Sequence, residues 1–141
     1  MDAKTAREMS KSFLDAYYRC MGDEYSPAPE TQNAPIPATV CLAFSVEVGF
    51  KSILIAEGKP VRGHNLYELF NALSIESQTR IHHDLARYAA EFDSLLLSMS
   101  TAFEDWRYLY ESRKTTSVSF DFLISLSLAA SKVASSLFEV R

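Results

Sequence analysis

The stretch ATVCLAFSVEVGFKSILIAEG, residues 38–58, predicts a helix that is apolar on nearly every side. A helix at a protein surface keeps one polar face, whereas a helix that is apolar all round is buried. We therefore expect this segment to be the central helix of the fold. Pro37 can open its first turn, and Gly58 with Pro60 ends it, as these residue types commonly do at helix ends.

Helical periodicity also covers the chain before this helix. Apolar residues in steps of three and four predict a first helix that Gly22 ends, with a stripe formed by Ala6, Met9, Phe13, Tyr17 and Met21. Residues 23–38 then predict a long loop, because they are rich in proline and polar groups and hold no periodic apolar face.

Three further helices are expected after the central one. Asn65 is the predicted N-cap of a short helix, and a longer helix is expected from about Ser77 to Met99. Ser119 can cap the last helix, in which small residues would let a neighbour approach closely, namely Ser127, Ala130, Ser131 and Ala134. The whole pattern predicts an all-α fold, an antiparallel up-and-down bundle of four to five helices.

Length and composition fit one domain spanning residues 1–141, with the proline-rich loop at 23–38. The 141 residues are 48% hydrophobic and 23% charged, which is ordinary for a soluble globular protein. Four glycines and five prolines are too few turn residues for a protein of many strands. The formal net charge of −4 gives no overall basic field for nucleic acid, so nucleic-acid binding would need a few local cations.

Targeting and metal signals are lacking in the sequence, which predicts a cytoplasmic protein without a membrane span, metal or cofactor. The first residues hold no apolar signal-peptide core, and the charge-free residues 122–131 are well short of the roughly 20 needed to cross a bilayer. Cys20 and Cys41 are expected to be buried, reduced thiols. His82 and His83 are adjacent, so they diverge by about 100° on a helix and cannot face one ion.

The first candidate polar site lies on the central helix. Glu47 and Lys51 are four residues apart in the favourable order for an ion pair, and a charge on this apolar helix needs a partner or a cleft. One interpretation is a buried ion pair that fixes helix register. The other is the lining of a small polar pocket with His64 at its mouth.

A second candidate site is Arg80, His82 and His83, with Arg87 nearby. Arg80 can pair with Asp84 across one helical turn. Two histidines beside two arginines would be able to hold an anion or act on a phosphodiester. The alternative is a solvated helix face.

A third candidate is AFEDWRYLYE, residues 102–111. On a helix Phe103, Trp106 and Tyr110 share one face, which favours packing as their role. Arg107 lies one turn from both Glu104 and Glu111, an arrangement that orients a guanidinium. This arginine is expected either to belong to a structural ion network or to face a phosphate or nucleotide.

Three of these segments, in this order and spacing, resemble the HEPN domain, the higher eukaryote and prokaryote nucleotide-binding family. AFSVEVGFKSILIAEGK is similar to the family's apolar helix with a central Glu and Lys, and GHNLYELFNAL to its short His-x-Leu-x-x-Leu segment. AFEDWRYLYE is similar to the Arg-Tyr-bearing aromatic stretch that precedes the final helix. The resemblance extends from about Ala3 to Leu137.

The resemblance implies an up-and-down helical bundle that forms a homodimer. Many family members cut RNA without a metal, using an Arg followed after four to six residues by a His. Others are inactive partners of small nucleotidyltransferases, or are taken to bind nucleotides or RNA. Here no arginine has a histidine at that spacing, and no histidine lies beyond position 83.

The resulting hypothesis is a HEPN-like homodimeric binding or assembly module for a nucleotide, RNA or a partner protein such as a nucleotidyltransferase. A bacterial defence or toxin–antitoxin-like system is its expected setting. The expected ligand-binding residues are Glu47, Lys51, His64, Arg107, Tyr108 and Glu111. One alternative is a metal-independent endoribonuclease with a diverged site, in which Arg107 stabilises the phosphate and His64 or His83 moves the proton. The other is a purely structural helical dimer.

Overall fold

A computed structural model describes residues 1–22, 35–100 and 119–139 of the chain. These ranges contain six α-helices, a short 3₁₀ turn and no strand, which confirms the all-α prediction. The helices are α1 Ala3–Cys20, α2 Pro35–Ala56, α3 Leu66–Ala72, α4 Ile75–Asp84, α5 Phe92–Met99 and α6 Phe120–Glu139, with the 3₁₀ turn Ala86–Tyr88 between α4 and α5.

The central position predicted for α2 is confirmed. Its buried side chains face several neighbouring helices, and five of the apolar ones are wholly inaccessible, namely Ala38, Leu42, Val46, Phe50 and Ile53. The helix begins at Pro35 rather than Pro37, so the predicted loop ends earlier than residue 38. Pro37 still fits, because proline in the first turn of a helix lacks only an N–H that would have no helical partner.

Small residues bring α1, α2 and α6 into close contact. The Ser45 hydroxyl donates to the backbone carbonyl of Ser10 at 2.7 Å and lies 2.5 Å from the Ser127 hydroxyl. A Cβ on Gly49 would stand 3.1 Å from the Ser10 hydroxyl and 3.2 Å from the Ala130 Cβ, so a larger residue would push the helices apart. The close approach expected at Ser127 and Ala130 is therefore confirmed.

An aromatic chain links α2 to the helices that follow it. Phe50 of α2 lies 5.8 Å from Phe70 of α3, measured between ring centroids, and Phe70 lies 5.0 Å from Phe92 of α5. Phe92 in turn meets Phe122 of α6 at 5.5 Å. Tilted and edge-on ring pairs at these distances stabilise a core beyond the area they bury.

The single long helix predicted from about Ser77 to Met99 is wrong in its continuity. The chain leaves helical geometry at Leu85, makes the 3₁₀ turn, and resumes as α5 at Phe92. The break lets Tyr88 place its ring edge-on against Phe122, 5.2 Å away, while Leu85 and Phe92 remain buried. The predicted apolar face is thus kept, but on two helices.

Most of the predicted helix ends are confirmed. Gly22 has a φ of 82° just beyond α1, a conformation that glycine adopts without strain. The Asn65 side chain accepts a hydrogen bond from the Glu68 backbone N–H at 3.0 Å, and the Ser119 hydroxyl accepts one from the Phe122 N–H at 3.4 Å. These side chains replace the helical partners that the first N–H groups of a helix lack.

Glu57, just after α2, ties that helix to the start of α4. Its carboxylate accepts a hydrogen bond from the Ser74 backbone N–H at 3.0 Å and another from the Ser77 hydroxyl at 2.7 Å. Burial alone would raise the pKa of Glu57, but these hydrogen bonds outweigh it and hold the pKa below its usual value. This contact holds the end of α2 against the start of α4.

The two cysteines are neighbours but are only partly buried, which corrects the expectation of full burial. Both thiols are free. Burial raises the pKa of the Cys41 thiol, and the adjacent Cys20 thiol raises it further. The two cysteines are partly exposed because Cys20 is the last residue of α1, and Cys41 of α2 lies beside this end of α1.

Two helices are long and apolar enough, by length and composition, to cross a membrane. The first is Pro37–Ala56, whose most apolar window is 67% buried within the protein. The second is Phe120–Phe138, whose most apolar window is 50% buried. Core helices of soluble proteins meet the same criterion. A location in the cytoplasm therefore stays a prediction.

Candidate functional site

The first predicted site is brought together around the Glu47 carboxylate, which is only 5% exposed. One carboxylate oxygen, Oε2, lies 3.2 Å from the Lys51 ammonium nitrogen. The other oxygen, Oε1, lies 3.2 Å from Nδ1 of His64. We call Glu47, Lys51 and His64 the Glu47 cluster.

Local structure explains why these three side chains meet. Glu47 and Lys51 are one turn apart on α2, so they share one side of the helix. His64 lies 17 residues after Glu47 in the sequence, and the chain reaches it through turns at Gly58 and Gly63, whose φ angles are 70° and 81°. Glycine adopts these angles readily, which lets the segment fold back along α2.

The contact with Glu47 assigns the tautomer of the His64 ring. An ionised carboxylate only accepts hydrogen bonds, which assigns Nδ1 of His64 as the donor in its contact with Glu47. In the neutral ring Nε2 then holds a lone pair. Because the His64 side chain is 60% exposed, this nitrogen can act as a hydrogen-bond acceptor or take up a proton from a bound molecule.

Burial explains the need for both partners of Glu47. A carboxylate removed from water must be compensated by charge or hydrogen bonds, or it strongly destabilises the fold. Lys51, 20% exposed, supplies the charge, and His64 supplies a second hydrogen bond. The predicted ion pair and the predicted histidine partner are both confirmed as contacts.

The second predicted site is rearranged. The expected pair of Arg80 with Asp84 is replaced, because Arg80 donates to the Ser136 hydroxyl at 2.7 Å. Asp84 lies 3.6 Å from the Lys132 ammonium and 3.8 Å from Nδ1 of His83. The cause is that α6 packs alongside α4. Ser136 of α6 therefore lies within reach of Arg80, and Lys132 of α6 lies near Asp84.

His82 and His83 point to different surroundings, as their adjacency predicted. The His82 ring lies 4.2 Å from the ring of Phe92 and 5.4 Å from that of Phe70, measured between centroids. The His83 ring faces the cleft between α4 and α6. Arg87, the other expected cation, donates to the Ser125 hydroxyl at 3.2 Å and lies over the Tyr88 ring.

The third predicted site lies outside the described residues. This applies to residues 102–111 as a whole, and so to the ligand-binding residues expected there, Arg107, Tyr108 and Glu111. Their part in any site stays a prediction. Of the six expected ligand-binding residues, the structure therefore places Glu47, Lys51 and His64, and it places them together.

Sequence reasoning missed the groups that α1 and α6 contribute near Arg80. Lys132 and Ser136 line the cleft with Arg80, and with Arg7 they line an adjoining depression. One signal was present, because Lys132 is the sole charged residue between Asp121 and Glu139 in a helix of apolar and small residues. Its partners were hidden because they are about 50 or more residues away in the sequence.

Metal ligation finds no support in the ranges 1–22, 35–100 and 119–139. Within them no three His, Cys, Asp or Glu side chains are grouped so as to hold an ion. The Glu47 cluster contains only one carboxylate and one histidine, with a lysine in place of a third ligand.

Comparisons with protein-family models, with curated proteins and with solved structures found no match to this chain. Membership of the HEPN family therefore remains a hypothesis based on the three sequence segments.

Proposed function

We propose that this chain is a HEPN-like binding module, an up-and-down helical bundle that dimerises and takes a nucleotide or RNA as its ligand. The observation that supports it is the Glu47 cluster, where three residues expected to bind the ligand meet within hydrogen-bonding distance. A bacterial defence or toxin–antitoxin-like system is the setting we propose. In this setting a nucleotidyltransferase-type protein is the partner we expect.

The exposure of His64 favours a ligand site over a purely structural ion pair. Glu47 and Lys51 already form an ion pair without it. His64 adds little buried area, since more than half of its side chain is exposed, yet its ring is oriented by the carboxylate. An exposed side chain that a buried group holds in one orientation is typical of a preorganised binding site.

Nucleotide chemistry fits the group that the cluster presents. Nε2 of His64 can accept a hydrogen bond from a ribose hydroxyl or a base amino group, and the exposed imidazole face can stack on a base. Lys51 is partly exposed and can contribute positive charge near a phosphate. Arg107 is the further cation that the sequence hypothesis assigns to the ligand.

Replacing His64 with alanine is expected to weaken binding of a short RNA oligonucleotide about tenfold, as loss of one oriented polar contact and a stacking surface does. The protein should stay folded with a modestly lower melting temperature, because the buried Glu47 carboxylate loses one hydrogen bond but keeps Lys51 as its partner. Fluorescence anisotropy with labelled RNA measures the first effect, and thermal unfolding measures the second.

Tyr18→Ala is the matched control, because it removes an aromatic ring that is 50% exposed on α1 and is not part of the Glu47 cluster. RNA affinity should survive this change. Equal affinity of the wild-type protein and His64→Ala for RNA and for nucleotides would contradict the proposal and leave the structural dimer as the better interpretation.

The endoribonuclease is the second candidate, and the carboxylate-held histidine is what favours it. A base with one nitrogen bound to a carboxylate and the other exposed is suited to remove a proton from a ribose hydroxyl. In the same RNA mixtures, cleavage by the wild-type protein that disappears in His64→Ala, with the fold intact, would support this enzyme. RNA that stays whole while bound would support the module.

A further inference from the structure

Two adjoining depressions lie along α6, and none of their described lining residues belongs to the Glu47 cluster. One is a depression of about 420 Å³ between α4 and α6, and the other is one of about 410 Å³ beside Arg7 of α1. Lys132 and Ser136 line both depressions, so the two adjoin each other. Arg80 lines the first and Arg7 the second. We call these two depressions the α6 groove.

The α6 groove is positively charged in a protein of net charge −4. Among the described residues, its charged lining is Arg7, Arg80 and Lys132 against one carboxylate, that of Asp84, which leaves +2 when His83 is counted as neutral. Asp84 lies 3.6 Å from Lys132 and so offsets that lysine. Among the described residues, no carboxylate lies within 4 Å of Arg7 or Arg80.

Both arginines are oriented by uncharged oxygen atoms of α6. Arg80 donates through Nη1 to the Ser136 hydroxyl at 2.7 Å, and that hydroxyl donates to the Val133 carbonyl at 2.7 Å. Arg7 donates through Nε to the Ser131 carbonyl at 2.9 Å. Each contact uses one of five N–H groups and leaves the positive charge uncompensated. The remaining N–H groups form the planar fork that matches phosphate oxygens.

From this arrangement we propose that the α6 groove binds a ligand with two or more linked phosphate groups. Arg80 and Arg7 each contact a phosphate, and Lys132 lies between them on α6. Because Arg80 and Arg7 line two adjoining depressions rather than one, they favour an extended anion over a single phosphate ion. The chains of phosphates in a nucleoside polyphosphate and in an RNA backbone share this chemistry. The proposal does not depend on the function of His64.

Sodium tripolyphosphate is the first probe, because it carries linked phosphates without a base or ribose. Isothermal titration calorimetry of the whole chain at about 50 mM salt should detect binding that weakens as salt is raised. Arg80→Gln and Arg7→Gln should each weaken it about tenfold, as expected for loss of a charge-assisted contact to phosphate. Asp84→Asn should strengthen it roughly threefold, because the one carboxylate among the described lining residues is removed.

Arg19→Gln is the matched control, since it removes the same charge about 18 Å further along α1 from Arg7. It should leave tripolyphosphate affinity unchanged, as should His64→Ala. Far-ultraviolet circular dichroism checks that each variant keeps its helices. A short RNA oligonucleotide is the second arm: RNA binding lost in Arg80→Gln assigns the groove to the RNA backbone, and tripolyphosphate binding without RNA binding assigns it to a nucleotide.

Three results would overturn the proposal. The first is absence of tripolyphosphate binding at low salt. The second is an equal loss of affinity in Arg19→Gln and Arg80→Gln, which would mean nonspecific attraction. The third is loss of tripolyphosphate binding in His64→Ala, which would place the phosphates at the Glu47 cluster. Failure of RNA binding at His64 together with intact tripolyphosphate binding would refute the proposed function alone.

Discussion

Replacing Phe50 with alanine is expected to lower the free energy of unfolding by about 4 kcal/mol, the usual range for a truncated core aromatic being about 3–5 kcal/mol. Phe50 is fully buried in α2 and starts the aromatic chain through Phe70. Its removal loses buried apolar area and leaves a cavity that the surrounding helices fill only in part. Urea unfolding followed by circular dichroism measures the change.

Tyr18→Ala is the matched control for this prediction. It removes an aromatic ring of similar size from α1, where the side chain is 50% exposed, and should lower the free energy of unfolding by less than about 1 kcal/mol. Equal effects of the two substitutions would contradict the central, buried position of α2.

Replacing Lys51 with methionine is expected to destabilise the protein by about 2–3 kcal/mol. The substitution keeps the length of the side chain but leaves the buried Glu47 carboxylate with His64 as its remaining contact. Loss of one partner from a fully buried ion pair typically lowers stability by about 3–5 kcal/mol. The smaller figure applies here because Lys51 is partly exposed and water can reach the site.

A second substitution separates charge from packing at the same site. The double variant Glu47→Gln with Lys51→Met should be more stable than Lys51→Met alone, because no uncompensated charge is left. Urea unfolding of the wild-type protein, the two single variants and the double variant gives the coupling energy. A coupling energy below about 0.5 kcal/mol would mean that water already screens the pair, as at an exposed site.

The sequence was sufficient to predict the features that depend on local pattern. The apolar residues on all sides of 38–58 predicted the buried α2, and Asn65 and Ser119 predicted two helix starts. Glu47 and Lys51 could be paired because one helical turn separates them. His64 could be joined to them because a buried carboxylate on an apolar helix needs further polar partners.

The break between α4 and α5 could not be predicted in the same way. No glycine or proline interrupts residues 77–99, and the apolar periodicity continues across the break. Tertiary packing decides it, because the 3₁₀ turn allows Tyr88 to meet Phe122 of a helix more than 30 residues away. Local pattern carries no information on such a contact.

The α6 groove was missed for a related reason. The sequence places Asp84 one helical turn after Arg80 and so predicts that these two residues pair. The structure pairs Arg80 with Ser136 instead, across 56 residues, and pairs Asp84 with Lys132. Only the packing of α4 against α6 exchanges these partners, and that exchange leaves Arg80 without a carboxylate among the described residues.

The most direct test is nuclear magnetic resonance of the His64 side-chain nitrogens during titration with a short RNA oligonucleotide. We expect Nδ1 to carry the ring proton. Its resonance should change little on titration, because Nδ1 donates a hydrogen bond to Oε1 of Glu47, 3.2 Å away. The Nε2 resonance should shift in proportion to the RNA bound, since this nitrogen meets the ligand. A proton on Nε2 in the free protein, or unchanged His64 resonances at saturating RNA and nucleotide, would contradict a ligand site at the Glu47 cluster.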